Sequence, residues 1–418
     1  MITGERVMYV DAATSLNCIF TVKIRGQISP EKLHAALAKV QQKHPFLRSV
    51  IKDNHKQVPH LVFSNNLTAI PVRLVERYTD EDWKTESETE WGTLFDQENA
   101  PLARIVWLKG SAFSELLLVC PHCICDGKSM VTLMAELLQL LDHPEQELVD
   151  YLPFYSVEGL LAQRYTLGKR LKMKLLSLLV SVLCFFKAGS HIAPLGESYM
   201  LHWKLDSGTV AALKCACKRE ETTVQAMLCA AFLEGFMEVK GEYARGHAVI
   251  PVDIRKFVPE IKEDMMFAMA PTVEIPIDKN KDMDFWEKAR AFKEKLNAKI
   301  AVLDGRGSLL MSEYFSADKI VAYLKSAEGT HDVTISNMGV LGISEYYDSL
   351  EVETIYSPSV AFPWRNPTTL IVSTFKGEMD FTFCSNKSFL DRAEAMAINS
   401  YAVGTLLQAT DLEYAADF

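Results

Sequence analysis

Apolar and polar positions alternate along the first third of the chain in short runs that predict both strands and helices. A strand is predicted over Cys18–Ile24, and Ser29 with Pro30 then marks the start of a helix. That helix must end before Pro45, because a residue that precedes proline is driven toward extended geometry. Further strands are predicted at 61–63, 70–75, 103–108 and 116–120, with an acidic helix over 79–90.

The second half of the chain repeats this mixture. Strands are predicted at 200–205, 249–254 and 333–338, a hairpin over 370–384, and helices at 207–219, 222–239, 284–303 and 391–408. The two halves therefore predict two related lobes. We expect an N-terminal lobe over 1–150, a linker over 151–198 and a C-terminal lobe over 199–418.

The linker holds an apolar helix predicted over 168–188. Its core, LLSLLVSVLCFF, is shorter than the roughly 20 apolar residues that span a bilayer. The pattern favours a helix buried in the protein or between the lobes. The alternative is a surface-seeking element in peripheral contact with a membrane or an acidic partner, since Lys169, Arg170, Lys172 and Lys174 precede the apolar core.

Composition narrows the classes of function. Apolar residues make up 49% of the chain, which is enough for large cores, and the formal net charge is -10. An acidic chain argues against nucleic acid as the main partner, because phosphate binding needs a cationic surface. The nine cysteines follow no disulfide framework and the first twenty residues contain no secretory signal, so a reducing, cytoplasmic location is expected.

The strongest candidate chemistry lies in PHCICDGKSM, residues 121–130, between an apolar strand run and an apolar helix run. On such a strand-to-helix turn His122 is a candidate general base, while Asp126 could hold the backbone, cap the helix or meet a cation. Cys123 and Cys125 raise the alternatives of a metal site or a cysteine nucleophile. We expect neither, since matching ligands are absent, and predict two small packing residues and no metal.

Five segments carry a resemblance to a known family, and they occur in that family's order. They are KHPFLR at 43–48, HCICDG at 122–127, TTVQAMLCAAF at 222–232, IPVDIR at 250–255 and ISNMG at 335–339. The second resembles the H-x-x-x-D-G signature of coenzyme-A-dependent acyltransferases, which include chloramphenicol acetyltransferase, peptide condensation domains and polyketide-associated and alcohol acyltransferases. The chain is most similar to the free-standing condensation-like branch, although Pro121 stands where many members carry a further histidine.

The resemblance implies an α/β fold of two chloramphenicol-acetyltransferase-like lobes, each a mixed sheet with helices, with a tunnel between them. It implies that His122 is the base of direct acyl transfer and that Asp126 pairs with Arg255 as a structural element beside Gly127. Ser336 and Asn337 become candidate oxyanion or substrate contacts. Simpler readings remain open, with Arg255 as a surface cation and Asn337 as a turn former.

The expected donor is an acyl thioester, either acyl-coenzyme A or a phosphopantetheine thioester on an acyl or peptidyl carrier protein, with no permanently bound cofactor. The expected acceptor is an alcohol, giving an ester, in natural product or lipid biosynthesis. The alternatives are an amine acceptor, as in peptide condensation, or a catalytically silent module that docks carrier proteins. A monomer is expected.

Overall fold

Thirteen strands and twelve α-helices make up the regular structure of the part of the chain that the computed structural model describes, residues 1–54, 58–161, 165–187, 196–327 and 329–410. The strands are β1 (Asn17–Gly26), β2 (Ser49–Asp53), β3 (Pro59–Phe63), β4 (Val72–Glu76), β5 (Arg104–Lys109), β6 (Phe113–Pro121), β7 (Ser198–Leu205), β8 (His247–Pro251), β9 (Thr272–Pro276), β10 (Val333–Val340), β11 (Leu350–Val360), β12 (Thr369–Phe375) and β13 (Glu378–Asn386). The helices are α1 (Thr3–Tyr9), α2 (Pro30–Lys43), α3 (Asp82–Gly92), α4 (Gly127–Asp142), α5 (Val157–Leu160), α6 (Leu167–Lys187), α7 (Ser207–Arg219), α8 (Val224–Lys240), α9 (Phe285–Ala301), α10 (Gly305–Met311), α11 (Ala317–Ser326) and α12 (Arg392–Gln408).

The strands form two large mixed sheets, which confirms the predicted two-lobed α/β architecture. The first has the order β11-β1-β6-β5-β4 and the second the order β7-β13-β12-β10-β8-β9, while β2 and β3 form a separate hairpin. Helices α2 and α4 pack together over the first sheet, and α8 packs between α9 and α12 over the second. Each lobe thus buries its own apolar core.

One strand crosses between the lobes. β11 belongs to the C-terminal half of the sequence, yet it pairs antiparallel with β1 at the edge of the first sheet. The predicted lobe boundaries at 150 and 199 do not account for this strand, which comes from the C-terminal half of the sequence and completes the N-terminal sheet. Since β11 also packs against β12 and β13, it ties the two sheets together.

Two predicted elements differ from the structure in ways that matter for function. The strand predicted over 249–254 ends at Pro251, and the chain continues into a 3₁₀ turn, Ile254–Lys256. The predicted helix over 168–188 is present as Leu167–Lys187, with Ala188 outside the described residues, but it is not buried. Its leucines and phenylalanines face outward, so the interpretation as a buried or inter-lobe helix is wrong. No helix in the described part of the chain is long and apolar enough to cross a membrane.

Candidate active site

The candidate base lies on a tight turn between β6 and α4. The backbone N–H of His122 donates to the Leu16 carbonyl at 2.8 Å, which holds the turn against the chain leading into β1. Its ring Nδ1 lies 2.8 Å from the Cys125 carbonyl oxygen. A carbonyl only accepts hydrogen bonds, so Nδ1 carries the proton and donates it. The neutral ring therefore keeps its lone pair on Nε2, the atom that a general base needs.

The surroundings of His122 include side chains from two distant parts of the chain. The side chain is partly exposed, and the Phe362 ring, just beyond β11, lies with its centroid 5.7 Å from the imidazole centroid. Cys18 of β1 is also close enough to the imidazole to interact with it electrostatically. Sequence reasoning missed both Cys18 and Phe362.

Cys18 and His122 shift each other's pKa. Burial opposes a charge on the imidazole, but the Cys18 sulfur and the Cys125 carbonyl outweigh it and raise the pKa of His122 to about 9. A hydrogen bond from the Cys125 thiol lowers the pKa of Cys18, against the effect of burial, and the neighbouring His122 lowers it further. The imidazole is thus mostly protonated at neutral pH, and its basic form is populated as the pH rises toward 9.

The Asp126 carboxylate is fully engaged. As the N-cap of α4, its Oδ1 accepts hydrogen bonds from the Ser129 backbone N–H at 2.7 Å and from the Ser129 hydroxyl at 2.6 Å. Its Oδ2 accepts from Arg255 Nη1 at 2.6 Å. Both oxygens are therefore committed to structural partners.

Arg255 is the cross-lobe partner that the resemblance implied, although it lies in the 3₁₀ turn after β8 and not on a strand. Its side chain is 1% exposed, which excludes the reading as a surface cation. Its guanidinium also donates to the Met265 carbonyl at 2.8 Å and lies 3.3 Å from Asp253 Oδ1. The Ser129 hydroxyl adds a second link across the same junction, since the Phe267 N–H donates to it at 3.1 Å. Ser129 was missed in the sequence, because its contact with Phe267 joins segments that are far apart along the chain.

Gly127 and Met338 form a close contact between the lobes. A Cβ at Gly127 would lie 3.2 Å from the Met338 Cε and 3.3 Å from its Sδ, so only glycine fits without displacement. Met338 lies on β10, two residues after Ser336, where the pairing of β10 with β12 shifts register. The contact of Met338 with Gly127 brings this part of β10 beside the catalytic turn.

Ser336 and Asn337 make no hydrogen bond to His122 among the described residues. The Asn337 side-chain oxygen instead accepts from the Gly339 N–H at 2.9 Å, where the backbone has a positive φ of 68°. Asn337 therefore stabilises a turn, which is the simpler of its two interpretations. Ser336 is partly exposed and remains the candidate for a polar contact to a reacting group.

A cavity of about 400 Å³ is lined mostly by the N-terminal lobe and residues 151–157, with three residues from the C-terminal half, and His122 is not among its lining residues. Its wall combines aromatic side chains, including Phe46, Phe63 and Tyr151, with the carboxyl groups of Glu5 and Glu313. The predicted tunnel leading to His122 therefore stays a prediction.

Cys123 and Cys125 are fully buried, in agreement with the predicted packing role. Within the described ranges, the single group of three side chains able to hold a metal ion is Asp142, His143 and Asp348. It does not include His122 or either cysteine.

Comparisons with known proteins agree with this architecture. The family model described as Condensation domain matches residues 8–152, and the one described as Phthiocerol/phthiodiolone dimycocerosyl transferase C-terminus matches residues 198–384. Together they cover most of the chain, and each matches one predicted lobe. No curated protein matches it significantly.

Solved structures share the fold at low identity. Polyketide synthase associated protein 5 from Mycobacterium tuberculosis is 16% identical, with a TM-score of 0.70 over 99% of this chain and 97% of that one. The trichothecene 15-O-acetyltransferase from Fusarium sporotrichioides is 14% identical, with a TM-score of 0.73 over 98% and 94%. The first condensation domain of the CDA synthetase is 12% identical, with a TM-score of 0.73 over 98% and 95%. With its two lobes matched in order by these two models, the chain belongs to the superfamily of condensation-domain-like acyltransferases.

Proposed function

We propose that this protein transfers an acyl group from a thioester directly to a hydroxyl acceptor, with His122 as the general base. The observation that carries the proposal is the separation of roles within one turn. The Nδ1–H of His122 is held by the Cys125 carbonyl, which leaves Nε2 for proton transfer, while both oxygens of Asp126 are occupied. A single base with a fixed tautomer suits one proton transfer per turnover.

The proposed reaction proceeds in one active-site complex. The acceptor oxygen attacks the thioester carbonyl carbon as its proton moves to Nε2 of His122. The carbon–sulfur bond then breaks, and the departing thiolate takes the proton from the imidazolium. Orientation of the two substrates supplies much of the rate, and a donor such as the Ser336 hydroxyl would stabilise the oxyanion.

The donor proposed is acyl-coenzyme A or an acyl group on the phosphopantetheine of a carrier protein. Support for an alcohol acceptor comes from structural similarity, since one neighbour with the same fold is a 15-O-acetyltransferase. A cytoplasmic setting is supported by the nine cysteines, none of which forms a disulfide in the structure.

The test is a product analysis. The protein is incubated with short and long acyl-coenzyme A thioesters and with panels of alcohols and amines, thiol release is followed with a chromogenic thiol reagent, and product masses are measured. Acceptor-dependent thiol release with an ester product supports the proposal. An amide product would show that the acceptor is an amine and not an alcohol, and would leave the proposed transfer mechanism unchanged. Carrier-protein binding without turnover on any thioester would overturn the assignment as an enzyme.

A further inference from the structure

Helix α6 is oriented with its apolar side chains outward. Ser177 and Ser181 are each 7% exposed, whereas Leu171 is 60% exposed and Phe186 is 78% exposed. The exposed apolar residues of this helix are Leu167, Leu171, Leu175, Leu176, Leu178, Leu179, Val182, Leu183, Phe185 and Phe186. A continuous apolar surface on this scale is uncommon in a monomeric soluble protein and marks an interaction site.

The way α6 is attached explains why this face is open. Successive residues are rotated by about 100° around a helix axis, which places Met173, Ser177 and Ser181 on one side. That side faces the protein, where α6 packs on α10 and α11 and Met173 joins a small apolar core. The leucines at 171 and 175 and Val182 fall on the opposite side. The strip of α6 that contacts the protein is therefore narrow, and the exposed apolar arc on the rest of the helix is broad.

Two basic side chains belong to this apolar arc. With the same rotation, Lys174 falls at one edge of the arc, and Lys172 falls inside it, between Leu179 and Leu183. No acidic side chain in the described part of the chain lies within ion-pair distance of either lysine, while Arg170 pairs with Glu158. The helix contains no Asp or Glu, although the whole chain has a net charge of -10.

We propose that α6 lies in the interface plane of an anionic membrane, with its apolar arc in the acyl region and Lys172 and Lys174 at the headgroups. A 21-residue helix is about 31 Å long, and an exposed apolar arc that includes lysines but no acidic residue matches the pattern of interfacial helices. Lys172 and Lys174 can each extend an apolar stem along lipid and keep the ammonium group at the phosphates.

A second copy of the chain or an acidic protein would fit less well. Helix partners bind along a narrower stripe at helical spacing, and this arc extends over about half of the helix circumference. Membrane docking requires no acyl donor, so it can be tested independently of the proposed chemistry.

The direct test is co-sedimentation of the full chain with sucrose-loaded vesicles, either of phosphatidylcholine alone or with one third phosphatidylglycerol. We expect binding to the anionic vesicles that weakens with salt. The triple variant Leu171→Ser, Leu175→Ser, Val182→Ser should reduce the binding constant about tenfold or more. The matched control carries Leu74→Ser and Val302→Ser, which replace exposed apolar residues outside α6 and should bind as the parent does.

A second pair of variants tests the charge. Lys172→Glu with Lys174→Glu should abolish the preference for anionic vesicles, whereas Lys214→Glu with Lys218→Glu on the exposed side of α7 should keep it. Circular dichroism and melting temperatures show that each variant is folded. Absence of binding by the parent would overturn the proposal, as would equal binding by the α6 variants. So would dimers in light scattering that the triple variant dissociates, because a second copy would then cover the helix.

Discussion

Asp126→Ala is the substitution that most sharply separates a scaffold aspartate from a catalytic one. It removes the N-cap of α4 and the carboxylate that neutralises Arg255 across the lobe junction. The guanidinium is 1% exposed and would remain buried after the change. The substitution therefore removes two structural contacts at a site next to the proposed base.

The expected magnitude follows from these contacts. Removing one partner of a buried ion pair costs roughly 3–5 kcal/mol, because the other charge stays desolvated. Asp253 Oδ1 at 3.3 Å and the Met265 carbonyl at 2.8 Å still contact the guanidinium, so the lower end applies. The lost cap adds about 1 kcal/mol. We expect Asp126→Ala to lower the free energy of unfolding by about 4 kcal/mol.

The assay is urea unfolding followed by circular dichroism, with activity measured on the same preparations. Asp253→Ala is the matched control, since it removes the more distant carboxylate and should cost about 1 kcal/mol. The double variant Asp126→Ala, Arg255→Met should lose less than the sum of the two single losses, because no unpaired charge remains buried. If Asp126→Ala unfolds within 1 kcal/mol of the parent and yet has no activity, Asp126 acts in the chemistry and the scaffold assignment is wrong.

Two further predictions concern the neighbours of His122. The transferase rate should rise with pH toward about 9, because the imidazole must lose its proton to act as a base, and Cys18→Ala should move the midpoint of kcat/KM against pH downward since the sulfur that raises the pKa is gone. An unchanged profile would contradict the assignment of His122 or the role of Cys18. Gly127→Ala should cost about 1 kcal/mol in thermal unfolding by crowding Met338, and less in a Met338→Ala background. Equal costs in both backgrounds would contradict this close contact.

Local patterns in the sequence were enough to predict several elements of the fold. Ser29 caps α2, accepting from the Lys32 N–H at 3.1 Å, and the helix ends at Lys43, before Pro45, as predicted. The strand before the catalytic turn and the helix after it were predicted from the two apolar runs that flank PHCICDGKSM. These features depend on residues within about one helical turn of each other, so the sequence displays them directly.

Features that depend on distant pairing were not predictable in this way. β11 was missed because Pro358 interrupts its pattern, which an edge strand tolerates. The outward face of α6 was given only as the alternative interpretation, because hydrophobic periodicity predicts a helix but does not say which side its neighbours cover. At the site, the contact of Asp126 with Arg255 was inferred from family resemblance, whereas Cys18 and Phe362 reach His122 through sheet pairings that no local pattern specifies.

The most direct test of the central claim is the rate of acceptor-dependent thiol release by His122→Ala, compared with the parent on the same thioester and acceptor. His122 is partly exposed and its ring makes one hydrogen bond to backbone, so the variant should fold and melt like the parent. Loss of the base should lower kcat by about 10²–10⁴-fold. A folded His122→Ala variant that keeps the parental rate would contradict the account.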